Sequence, residues 1–142
     1  MIPHFIKLAA RPRPEHRMTA GDVLSRFGTD EAFAALKKLA DTTAADLRGS
    51  ATTVELEESS AAGVRHSAVG AIGKCPHPDA LPLFWSHADD EYYGTRITVL
   101  HRAAEVKSLK ARAIIEKMTT DTNETVRNEA IRYREKLKKE DE

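Results

Sequence analysis

The chain has 142 residues, 41% of them apolar and 31% charged, and its 22 Lys and Arg are balanced by 22 Asp and Glu. That length can bury a continuous core without a disulfide framework or a structural metal, and a lone cysteine could form no internal bridge. A formal net charge of zero supplies no general attraction to nucleic acid or anionic lipid, and no apolar stretch approaches the roughly 20 residues of a membrane-spanning helix.

At the start of the chain, Phe5-Ile6-Lys7-Leu8-Ala9-Ala10 is too short and charge-interrupted for the apolar core of a secretion signal, so a cytoplasmic protein with no membrane partner is expected. From there the chain repeats itself. A shift of 48 lays Arg17 on Arg65, Ala20 on Ala68, Leu24 on Ile72, Phe27 on Cys75, Ala32 on Ala80 and Leu36 on Phe84. This predicts a first helical hairpin over about 15–41.

A shift of 31 then relates later segments. Arg65, Arg96 and Arg127 coincide, Val69 meets Leu100 and Ile131, and Cys75 meets Val106 and Leu137. The difference between the two shifts places an insertion at about 43–59. Leu47, Ala51 and Val54 have near-helical spacing there, but Gly49 and Thr52-Thr53-Val54 weaken it, leaving an extra helix and a long acidic loop as alternatives.

The second hairpin is predicted over 61–89. Ala68, Val69, Ile72 and Cys75 at i, i+1, i+4 and i+7 make one helical face, and Cys75-Pro76-His77-Pro78-Asp79 forces a turn from which Asp79 can cap the next helix. A third hairpin follows over 92–120, then a terminal helix over 123–140. The fold class is therefore all-α, in one domain spanning 1–142.

The starts Val64-Arg65-x-x-Ala68 and Val126-Arg127-x-x-Ala130, with Asp90 and Asp121 six residues before the next arginine, resemble the HEAT-like repeats of α-solenoid proteins. The resemblance is to the short form also found in phycobilisome-lyase-type repeats. The resemblance implies a right-handed α-solenoid of about three to four antiparallel hairpins, with second helices lining an inner face. It also implies that Arg65, Arg96 and Arg127 form a structural ladder, Asp90 pairing with Arg96 and Asp121 with Arg127 and each arginine bonding exposed helix-end carbonyls, although a basic stripe for a ligand is the other reading.

Stacked hairpins leave a broad concave surface suited to another chain, so the expected partner is a protein. Trp85 aligns with the charged Lys37 and Glu116, and Tyr92 and Tyr93 align with Asn123 and Glu124. An aromatic where its siblings are wet is a candidate contact, although Trp85 could equally pack inward. With Arg112 and Glu116 of the inner helices, these three make the candidate partner-binding set. The balance of Lys37, Lys38, Arg112 and Lys117 against Glu116 argues against nucleic acid.

No catalytic residue, cofactor or metal is expected. His4, His16, His66, His77, His87 and His101 lack ligand spacing, no nucleophile or phosphate-binding motif occurs, and Cys75 fills a core register. The functional expectation is a non-enzymatic adaptor, regulator or assembly factor. The alternatives are an immunity protein that occludes a toxin, or a relative of the repeat proteins that attach bilins or bind DNA.

Overall fold

Prolines and small polar caps punctuate the chain, and the computed structural model, which describes residues 1–142, sets eight α-helices between these signals. Helix α1 spans Ile2–Ala9, and α2 spans Pro14–Leu24 with Pro14 at the first helical position, where the missing N–H would have no helical partner. Thr29 caps α3 (Asp30–Ala40), accepting from the Ala32 N–H at 3.2 Å. Asp30 and Glu31 in its first turn and Lys37 and Lys38 in its last complement the helix dipole. Thr53, Ser108 and Asn123 cap α4 (Val54–Lys74), α7 (Leu109–Met118) and α8 (Glu124–Asp141) in the same way. Between them lie α5 (Ala80–Ser86), a 3-10 turn at His87–Asp89, and α6 (Tyr93–Val106).

The helices gather into two compact units, Met1–Phe84 and Trp85–Glu142, the division falling within α5. In the first, α1 packs on α2 and α3, and α4 packs on the same two helices. Leu24, Leu36, Leu39, Leu47, Val64 and Ile72 are fully buried there. In the second, α6 packs on α7 and α8, and α7 on α8, over Val99, Leu100, Ile115 and Val126. No helix is long and apolar enough to cross a membrane.

The segment expected as an insertion over 43–59 is neither a separate helix nor one long loop. A 3-10 turn at Ala45–Leu47 buries Leu47, Gly49 takes a left-handed φ of 84°, and from Val54 the chain already belongs to the 21-residue α4. Leu47 and Val54 therefore share no helix face: one is fully buried, the other 71% exposed. The cause is Thr53, whose hydroxyl accepts from the Leu56 N–H at 3.1 Å and starts α4 ahead of the expected hairpin. Helix α1 also precedes the first hairpin, outside the repeat.

The bend between α4 and α5 is pinned by His77. Its Nδ1 accepts the Asp79 N–H at 3.1 Å, its Nε2 lies 2.8 Å from an Asp30 carboxylate oxygen, and its ring stacks on Phe33 at 4.4 Å. The accepting role of Nδ1 places the proton on Nε2. Cys75 is buried beside this bend, its thiol 3.5 Å from the Phe27 carbonyl.

Two glycines of α4 differ in what surrounds them. A Cβ at Gly73 would stand 2.7 Å from Cε1 of Phe84, a ring only 1% exposed and with no room to retreat, whereas a Cβ at Gly63 meets nothing within 4 Å. Gly73→Ala should destabilise by about 1–2 kcal/mol despite its gain in helix propensity. Gly63→Ala should stabilise by about 0.5–1 kcal/mol. Urea midpoints with unchanged m values check both.

Candidate functional site

Two of the three candidate aromatics are exposed. Tyr92 and Tyr93 are 47% and 46% exposed, with ring centroids 5.3 Å apart in an edge-to-face arrangement. They stand where the chain enters α6, not on a second helix of a hairpin. Gly94 permits the placement of Tyr92, since a Cβ there would lie 2.6 Å from its Cε2.

Trp85 is only 7% exposed, so of the two readings the sequence leaves open the indole takes the packed one. Its neighbour Phe84 keeps the buried register of Leu36 and Ile115, and burial extends one residue further here than in α3 and α7, where Lys37 and Glu116 are exposed.

The tyrosine turn is held by Arg96. Its Nη1 donates to the carbonyls of Asp90 at 2.8 Å and Glu91 at 3.1 Å, while Nε and Nη2 each donate at 2.9 Å to the two carboxylate oxygens of Asp121. Both partners are nearly out of water, 13% and 10% exposed, so losing either would strand the other's charge. Asp121 also accepts the Asn123 N–H at 2.8 Å, and its carbonyl accepts from Arg127 at 3.0 Å. Burial works to raise the Asp121 carboxyl. The hydrogen bonds from Arg96 and the Asn123 N–H, with the Arg96 and Arg127 charges, outweigh it and hold the group below the ordinary carboxylate range.

The arginines thus bond turn carbonyls as expected, but the carboxylates pair differently. Asp90 offers Arg96 its carbonyl, and its carboxylate accepts the Tyr92 N–H at 2.9 Å and lies 3.5 Å from His87 Nδ1. Asp121 gives its carboxylate to Arg96 and only its carbonyl to Arg127. What recurs is an arginine donating to the carbonyl six residues upstream: Arg17 to Arg11, Arg96 to Asp90, Arg127 to Asp121. Arg65 departs from this, donating to the Thr42 carbonyl at 2.7 Å, because residue 59 lies inside α4.

Arg112 and Glu116 face α8 instead of the tyrosines. Arg112 pairs with Asp141 at 2.9 Å, and Glu116 lies 3.3 Å from Arg134. These exposed pairs are worth at most about 1 kcal/mol each and can exchange for a partner's charges. Lys117, beside Glu116, bonds to Asp89, which brings the last turn of α7 alongside the tyrosine turn. Leu109, 88% exposed at the start of α7, escaped the sequence reasoning because its repeat equivalent is Pro78, an exposed turn residue.

A paired phenol surface on a rigid, carboxylate-edged turn can supply contact area and hydrogen bonds to another molecule. No group of three or more His, Cys, Asp and Glu is placed to hold a metal ion. A family profile described as HEAT repeats matches residues 50–133, which takes in α4 to α7 and the first part of α8, and leaves α1 to α3 outside. The profile is that of HEAT repeats at large and does not single out the lyase-type short form. No curated protein matches the chain.

Proposed function

The chain belongs to the HEAT-repeat family, and from that premise we propose that it is a non-enzymatic module that binds a partner protein through the Tyr92–Tyr93 turn and the neighbouring last turn of α7. The observation that carries this reading is the half-exposed tyrosine pair on a turn whose carbonyls are fixed by Arg96. Such a turn loses little conformational entropy on binding, and tyrosines offer large contact area with few rotatable bonds. Asp89 is paired with Lys117, and the exposed carboxylate of Glu91 beside the rings disfavours a phosphate backbone and favours a protein with a basic group.

Tyr92→Ala/Tyr93→Ala should leave circular dichroism and melting temperature nearly unchanged. Capture of the partner from a native lysate, identified by mass spectrometry, should weaken by about 2 kcal/mol or more. Undiminished capture by the folded double variant would remove this surface from the function. Recovery of nucleic acid with a steep salt dependence would replace the partner class.

A further inference from the structure

We propose that the groove between α1 and α3 in the first unit is a second docking site, for a short apolar helix of a partner protein that carries a basic residue at each end. The groove holds about 670 Å³. Ile6, Ala9 and Ala10 of the α1 side face Ala34, Ala35 and Leu39 of α3, so small side chains open a floor that an incoming helix can approach closely. Helix α1 is itself incompletely covered. Its Ile2, Phe5, Ile6 and Leu8 are all only half-buried, which leaves the apolar stripe of that helix unfinished.

Charge at the rim selects the occupant. Glu31 stands in the first turn of α3 and Asp41 just past its last, about 15 Å apart along the helix axis, and neither has an ion-pair partner. Asp46 adds a third carboxylate, accepting the N–H and hydroxyl of Thr43. Against these, Lys38 is the one rim cation free to meet a ligand. The guanidinium of Arg17 is committed to the Arg11 and Ala10 carbonyls and the Thr42 hydroxyl. The complement is a helix with apolar residues in the middle and cations about ten residues apart. The inference takes its class of partner from the protein-binding reading, but the groove and the tyrosines lie in different units and are tested separately.

The test uses the full chain and a fluorescein-labelled peptide of about 14 residues, with leucines along one helical face between two lysines about ten residues apart, beside a twin carrying glutamates in place of the lysines. Ala34→Trp fills the groove from an exposed position. Glu31→Lys/Asp41→Lys reverses the rim without touching the floor. The lysine peptide should bind the wild-type chain, and each variant should weaken it at least about tenfold. The glutamate twin should bind the wild-type chain at least about tenfold more weakly and gain on the charge-reversed variant. Tyr92→Ala/Tyr93→Ala should change neither. Absence of binding by the lysine peptide, equal binding of the twins, or indifference to both groove variants overturns the proposal and leaves the tyrosine surface standing on its own test.

Discussion

Trp85→Ala should destabilise the protein by about 4 kcal/mol, as expected for removing a buried indole, and lower the melting temperature by roughly 10 °C. The side chain is 7% exposed, so its loss leaves a cavity instead of a bare surface. Thermal and urea denaturation followed by circular dichroism read the effect directly. The contrast with the tyrosines is the informative part: truncating Tyr92 and Tyr93 removes side chains that remain about half in water and should barely move the same curves. A Trp85 variant of unchanged stability that fails to capture the partner would return the indole to the contact surface.

Asp121→Ala should cost about 3 kcal/mol at neutral pH. The substitution strands the Arg96 guanidinium on carbonyls alone and deprives the Asn123 N–H of its acceptor. Arg96→Met/Asp121→Ala should cost less than the sum of the two single variants, because the stranded charge disappears with its partner. The dependence on pH follows from the direction of the Asp121 shift. A carboxyl held below its unfolded value contributes stability that is fully present above that value, about pH 4, and is lost as pH falls through the lower folded value. The penalty of Asp121→Asn should therefore be full at pH 7 and shrink in acid below about pH 4. A penalty of the same size across that range would mean that the ionised carboxylate is not what holds Arg96.

Much of the core was legible in the repeat. Leu24 and Ile72, Leu36 and Phe84, and Val69 and Leu100 are buried where the two shifts aligned apolar residues, because a stacked helix tolerates nothing else at those registers. The arginine register was less legible. The sequence shows that Asp90 and Asp121 precede an arginine by six residues, but spacing does not distinguish a carboxylate from the carbonyl of the same residue. The carbonyl of Asp121 is taken by the nearby Arg127, and its carboxylate serves Arg96 of α6.

The second hairpin is less legible. Aligning repeats transfers length as well as register, whereas α4 is extended at its start. Both shifts lay Trp85 on charged residues, which leaves its burial open between contact and core. The threonines ahead of Val54 suggested a β-branched interruption, yet Thr53 acts as a helix cap. The groove of the first unit could not be seen at all from the repeat, since one of its walls is α1. Ile2, Phe5, Ile6 and Ala9 there have helical spacing, but they stand outside both shifts.

The most direct measurement of the binding claim is site-specific photo-crosslinking in the native cell, with a benzophenone amino acid replacing Tyr93 and, as a control, the exposed Ala113 of α7. A discrete protein adduct formed from position 93 and not from 113 is the predicted result. Adducts to nucleic acid, or none from position 93 in a chain that remains folded, would contradict it.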